Sequence, residues 1–255
     1  MKKSILPILT AALSLLNLSS ANAQTIIAGW DFNSTIPDAT TTTGTTSPSV
    51  GAGTIILVGS TTASFSAGNT ADTSSATDNS RYSISNFPAA GNGSKTAGIQ
   101  FDISTLGFTD ISFAYQIRHS NTAANTNALL YTLDRLASTP LWTEAAQFTF
   151  SPAATGTGDT WYSRSVNLSS ISGLNGNANV AFRIVSAFDP VAGNYLASRS
   201  TSTYGSASTY GFDLVQVSGI PEPSAVPEPS AQALLGIGMA ALVAVRALRR
   251  GRSVS

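Results

Sequence analysis

Between Asp110 and Arg118 the chain alternates with period two, setting Ile111, Phe113, Tyr115 and Ile117 against Ser112, Ala114, Gln116 and Arg118. Successive side chains of an extended strand point to opposite faces, so this segment specifies a strand with one buried face and one facing water. A helix would scatter the same four apolar residues around its circumference. Val180, Phe182 and Ile184 repeat the device around Arg183. Further candidate strands are Ile26 to Phe32, Thr54 to Val58, Gly98 to Asp102, Ala128 to Asp134, Glu144 to Phe150, Trp161 to Leu168 and Tyr210 to Val217. Clusters of Gly, Ser, Thr and Asn separate them, and no stretch before the C-terminal tail sustains a helical period. The expected fold is therefore all-β, an antiparallel β-sandwich with Phe113, Tyr115, Phe182 and Ile184 in its core. Thr40 to Thr46 and Ser60 to Ser80 hold few large apolar residues and read as loops or edge strands.

The chain has no cysteine. That excludes a disulfide framework, thiol catalysis and Cys-ligated metal, so stability has to come from a hydrophobic core. Residues 24–219 suffice for one such domain. The formal net charge of zero conceals a division: this stretch carries 7 Lys or Arg against 11 Asp or Glu, a net charge of −4, and the other 6 basic residues lie at the two ends. A mildly acidic body lacks the basic patch that nucleic acid or an anionic membrane surface calls for.

The ends have their own logic. Lys2 and Lys3, the apolar run Ile5 to Leu18 and the small residues Ala21-Asn22-Ala23 are the three parts of a secretory signal peptide. Residues 1–23 are thus expected to direct export through the Sec translocon, with the mature chain starting at Gln24. At the other end Pro227-Glu228-Pro229 precedes an apolar run from Ala233 to Val245 and then Arg246, Arg249, Arg250 and Arg252. Proline fixes φ and withholds a donor, so residues 220–230 should be an extended spacer. The apolar run, within residues 231–255, is expected to form a hydrophobic helix held with its basic end inside. Hydropathy alone suits an ordinary C-terminal anchor equally well.

The order of motif, apolar run and basic end in Val226-Pro227-Glu228-Pro229-Ser230 and Ala233-Leu234-Leu235-Gly236-Ile237-Gly238 resembles the PEP-CTERM sorting domain of exported Gram-negative proteins. The resemblance implies recognition by an exosortase, transient anchoring at the inner membrane, and release to the surface or matrix. A second copy, Pro221-Glu222-Pro223, departs from the pattern and leaves two cleavage positions open, of which the later abuts the apolar run. In the body, Trp30-Asp31-Phe32-Asn33, Gln116 to Thr122, Leu130 to Asp134 and Tyr210 to Val215 look like the ectodomain often found ahead of such tails. That ectodomain is similar to jelly-roll sandwiches of the carbohydrate-binding type.

Catalytic chemistry is poorly supplied. His119 is the only histidine, no Gly-x-Ser-x-Gly elbow occurs, and a His-based zinc site lacks ligands. His119 is expected at a strand end, in a polar loop with Arg118, Ser120 and Asn121. Asp102, Asp134, Glu144, Asp159 and Asp189 could in principle pair for glycoside hydrolysis, but no pair is marked out by context. Calcium needs only oxygen ligands. The jelly-roll resemblance implies a structural calcium where first and last strands meet, which here means Asp31 and Asp213. Alternation with Val215 and Val217 would set Asp213 on an inward face. Among the aromatics, Trp142, Trp161, Tyr195, Tyr204 and Tyr210 include candidates for stacking on a sugar, and Trp30 next to Phe32 reads as core. The expected function is a non-enzymatic exported surface or matrix protein; the alternative is a carbohydrate-binding module for extracellular polysaccharide.

Overall fold

The period-two segments fold as strands. The computed structural model describes residues 23–73, 77–150 and 160–223. Twelve strands occur among them: β1 (Thr25–Trp30), β2 (Val50–Gly51), β3 (Thr54–Val58), β4 (Thr62–Ala67), β5 (Ser80–Ser85), β6 (Gly98–Ile103), β7 (Phe108–His119), β8 (Thr126–Thr132), β9 (Thr143–Thr149), β10 (Trp161–Asn167), β11 (Val180–Ala187) and β12 (Tyr210–Pro221). All pairings are antiparallel. The larger sheet has the order β10-β7-β12-β1-β2, with the β4-β5 hairpin also joined to β12; the smaller is β3-β6-β11-β8-β9.

The alternation of β7 is realised in full: Ile111, Phe113, Tyr115 and Ile117 are at most 1% exposed, with their neighbours part-exposed. The core is a line of aromatic rings threading from one sheet to the other. Trp30 of β1 meets Phe101 of β6 (5.1 Å between centroids), Phe101 meets Phe113 of β7 (5.8 Å), and Phe113 meets Phe182 of β11 (5.0 Å). Tilted and edge-on contacts at these spacings favour ring quadrupoles and fix which strands face each other. Where edge strands β9 and β10 leave the sandwich open, Arg164 turns inward. Its guanidinium lies over Phe148 (5.0 Å), Phe150 (4.7 Å) and Tyr162 (5.3 Å), so a cation closes the apolar side.

The Ser-rich stretch Ser60 to Ser80 supplies an edge strand, as expected: β4 pairs only with β5 among the described residues, and its register, with Phe65 opposite Tyr82, places those rings 5.3 Å apart. One expectation is revised. Asp213 does not share a face with Val215 and Val217. It pairs with Gln116 on the outer side, and a bulge between Asp213 and Gln216, with Leu214 at φ 44°, restores inward facing for Val215.

Residues up to Pro221 form one unit and those from Glu222 another, of which only Glu222 and Pro223 are described. The signal segment up to Asn22, the motif Pro227, Glu228 and Pro229, the apolar run, and Arg246, Arg249, Arg250 and Arg252 lie outside the described residues. No helix among the described residues is long and apolar enough to cross a membrane.

Candidate functional site

Antiparallel pairing decides which side chains share the outer face of the larger sheet. On β10, Trp161, Ser163, Ser165 and Asn167 stand opposite Arg118, Gln116, Ala114 and Ser112 of β7, and β12 adds Gly211, Asp213 and Gln216 opposite Arg118, Gln116 and Ala114. The side chains at the centre are small, so the face is depressed there. A groove of about 310 Å³ is lined by Ala114, Gln116, Ser163, Ser165, Leu214 and Gln216, together with Tyr115 and Arg164. Its lining offers the hydroxyls of Ser163 and Ser165 and the amides of Gln116 and Gln216, with Arg164 as its one charged residue.

Trp161 stands at one end of this face with the Arg81 guanidinium 5.9 Å from its ring. Arg81 comes from β5, beyond β12, and crosses only because position 211 is glycine: a Cβ there would sit 2.5 Å from Arg81 Cδ. Arg81 is fixed by donating from Nε to Ser83 Oγ (2.8 Å) and from Nη1 to the Ala67 carbonyl (2.8 Å). The arginine is thus pre-placed beside the indole.

Next to the groove lies the corner where first and last strands meet. Trp30 pairs with Val215, which brings Asp31 to the bulge of β12. Phe32 (φ 60°) and Leu214 (φ 44°) adopt left-handed backbone at this corner. Non-glycine residues hold such angles only where surroundings over-determine them, at about 1–3 kcal/mol each. Asp213 is fully buried and accepts from Asn69 N–H (2.7 Å) and Leu214 N–H (2.9 Å). Burial, and the negative charges of Asp72 and Asp31, nevertheless push its carboxyl up to about 7. The Asn69 amide reaches Gln116 in turn, linking corner and groove.

The corner's chemistry suits a hard cation. Asn79 Oδ1 is buried without a hydrogen-bond partner, and a Cβ at Gly68 would collide with both it (1.8 Å) and Asp213 Oδ2 (2.8 Å), so these oxygens crowd one spot. Asp213, Asp31 and Asn79 are the residues that would hold the ion. Among the described residues no group of three or more His, Cys, Asp or Glu side chains forms a metal cluster, so amide and backbone oxygens would have to complete the shell.

The other candidates are distributed differently. Trp30 is core at 1% exposure, as expected, and Tyr195 and Tyr210 are buried too. Tyr204 stacks on Tyr195 (4.5 Å), and its hydroxyl donates to the Pro88 carbonyl (2.7 Å), which pins a loop. Trp142 lies on the outer face of the smaller sheet. His119 ends β7 but is fully buried instead of sitting in a polar loop. It packs against Phe150 (4.0 Å) and Tyr210 (4.5 Å), and its Nδ1 bonds the Ala124 carbonyl (2.8 Å). Burial pushes its pKa down to about 3.

The carboxylates considered for hydrolysis are engaged separately. Asp102 accepts from Gln100 (2.6 Å) and faces Arg135 (3.7 Å), and Glu144 pairs with Lys95 (2.7 Å). Asp189 accepts from Asn125 Nδ2 and from the backbone of Val191 and Ala192, which holds its pKa below the usual value. Asp134 accepts from the Leu136 N–H (3.0 Å), and Asp159 lies outside the described residues.

Fold and face together define an antiparallel β-sandwich with a polar groove across its larger sheet. No family model matches the chain, and no curated protein matches it. Among solved structures it is similar to the CBM22-1–GH10 modules of the Clostridium thermocellum endo-1,4-β-D-xylanase 10B, at 13% identity and a TM-score of 0.42 over 65% of this chain and 26% of that one. It is also similar to the CBM22-1 xylan-binding domain of Paenibacillus barcinonensis Xyn10C (11% identity, TM-score 0.41, 80% of this chain and 100% of that one). A third is the K1 cleaved adhesin domain of the Porphyromonas gingivalis Lys-gingipain (15% identity, TM-score 0.41, 76% and 97%). The chain spans about a quarter of the first of these.

Proposed function

We propose that this chain is an exported surface or matrix protein whose β-sandwich binds extracellular polysaccharide across the outer face of its larger sheet. The observation that carries the reading is the groove: a floor of Ala114, Ser163 and Ser165, amides from Gln116 and Gln216, and Trp161 beside Arg81 at one end. Sugars present hydroxyls around an apolar ring face, so their binding calls for neutral hydrogen-bonding groups next to an exposed aromatic. A protein ligand would favour an apolar centre, which this face lacks. The reading is of a binder and not a catalyst, because Asp102, Glu144 and Asp189 are each tied to separate donors.

Replacing Trp161 by Ala should weaken binding to the exopolysaccharide of the producing cells by about tenfold or more, equivalent to ~1.4 kcal/mol, while the fold persists. Isothermal titration of the wild-type and Trp161→Ala chains reads this directly. Equal affinities would remove the groove from the binding surface.

In this proposal the N-terminal segment directs export through Sec, and the tail is cut by an exosortase at the second Pro-Glu-Pro copy. Support comes from the first copy's position: Pro221 is the last residue of β12 and pairs with Phe108, so a cut there would require unzipping the strand. A cut at Pro227-Glu228-Pro229 spares the sheet. Mass spectrometry of surface-extracted protein should find a chain ending near residue 228, and the full chain through Ser255 when the exosortase is deleted. Intact tails in both strains would leave the apolar run as a plain anchor.

A further inference from the structure

The smaller sheet carries a second aromatic platform on its own outer face. β11 sets Arg183, Val185 and Ala187 outward, β8 adds Ala128 and Leu130, and β6 adds Gln100 and Asp102. Trp142, just ahead of β9, packs across Ala128, Leu130, Val185 and Ala187. The Arg183 guanidinium lies 3.7 Å from the centre of its ring.

What holds the cation in place is more than an apolar cap requires. Arg183 Nε donates to Gln100 Oε1 (2.7 Å), Gln100 Nε2 donates to Asp102 Oδ1 (2.6 Å), and Asp102 Oδ2 faces Arg135 Nε (3.7 Å). Arg135 is itself anchored on the carbonyls of Ile103, Ala178 and Val180. This relay crosses the sheet from β11 to the loop after β8. Burying it is unfavourable compared with an apolar alternative, and it lowers the pKa of Arg183 through desolvation. Its effect is to fix the cation that lies against one face of the indole. The ring remains only half-buried. A rigid indole loses little entropy when a ligand stacks on it. The Arg183 guanidinium supplies hydrogen-bond donors beside the ring, and Glu144, opposite Leu130 on the same outer face, pairs with Lys95 (2.7 Å). The pairing of arginine with tryptophan recurs on the opposite face, where Arg81 lies beside Trp161.

We infer that Trp142 and Arg183 form a second glycan-binding site, stacking a pyranose of the same extracellular polysaccharide, so that one domain bridges two polysaccharide chains from its opposite faces. The inference rests on the reading that the groove at Trp161 binds such a polymer. Bridging gives the protein a mechanical role in a matrix, because divalent binders turn a soluble polymer into a network without any stronger contact.

The test mixes the exported chain with exopolysaccharide purified from the producing cells and follows turbidity, with titration against short oligosaccharides cut from that polymer. Wild type should cross-link and take two oligosaccharides per chain. Trp142→Ala should take one and lose cross-linking, and Trp142→Leu, which keeps an apolar cover over Ala128 and Val185, should behave in the same way. Trp161→Ala should also take one, and the double variant none. Cross-linking by Trp142→Leu equal to wild type, or one oligosaccharide per wild-type chain with none on Trp161→Ala, would overturn the second site and leave the groove reading intact. No binding by wild type would overturn both.

Discussion

Phe182→Ala should lower the unfolding free energy by about 3–5 kcal/mol, the range for deleting a buried aromatic side chain and leaving its cavity. Phe182 is fully buried on β11, pairs with Phe101 and Tyr131 in its own sheet, and reaches Phe113 of the opposite sheet at 5.0 Å. It is therefore a link in the aromatic line that joins the sheets. Urea denaturation monitored by tryptophan fluorescence measures the change, because stability falls linearly with denaturant and the midpoint moves with it. Trp161→Ala supplies the contrast. Its ring stands on the outer face, so truncation should change stability by less than about 1 kcal/mol while it impairs binding. A Phe182→Ala midpoint equal to wild type would dismantle this account of the core.

The contrast shows where sequence is informative. At β7 and β11 the alternation places Ile111, Phe113, Tyr115, Ile117, Phe182 and Ile184 inward, because period two is the geometry that puts Phe113 and Phe182 on buried faces. Sequence alone does not decide the faces of Trp161 and Trp142; pairing puts Trp161 on a side with Ser163 and Ser165, and packing puts Trp142 on the outer face with Leu130. Arg164 masks the alternation, since a cation on the inward side breaks the expected pattern, and only the rings of Phe148, Phe150 and Tyr162 explain it. The β4-β5 hairpin has little pattern of its own. Its Ser-rich strands are held by pairing with β12, a non-local interaction that composition does not carry. Asp213 is illegible for a sharper reason. A bulge reverses facing within two residues, and Leu214 at φ 44° gives no glycine to announce it. The burial of His119 likewise depends on Phe150 and Tyr210, which are far from it in sequence.

Stability in chelator should be nearly flat between about pH 4.5 and 6.5, because two buried groups titrate against each other. His119 has a folded pKa of about 3, below its ordinary 6.5, so its contribution is present above pH 6.5 and lost as pH falls. Asp213 has a folded pKa of about 7, above its ordinary 3.8; its contribution is present below that value and lost as pH rises through 7. Moving a pKa by one between the unfolded and folded chain corresponds to about 1.4 kcal/mol, so the full spans are roughly 5 and 4 kcal/mol, and within the shared window the two slopes cancel. Asp213→Asn removes one of them. Its stability should fall by about 1.4 kcal/mol for each pH step of one as pH drops, whatever its absolute offset, and His119→Gln should tilt the profile the other way. Calcium decides what the corner holds. An ion on Asp213, Asp31 and Asn79 keeps the carboxylate charged, so wild type in excess calcium should acquire the acid-sensitive slope of Asp213→Asn and gain stability at about pH 8 by mass action. Thermal melts across pH, with calcium and with chelator, separate the cases. Superimposable wild-type profiles would dispose of the ion, and equal slopes for wild type and Asp213→Asn in chelator would show that Asp213 is not the opposing group.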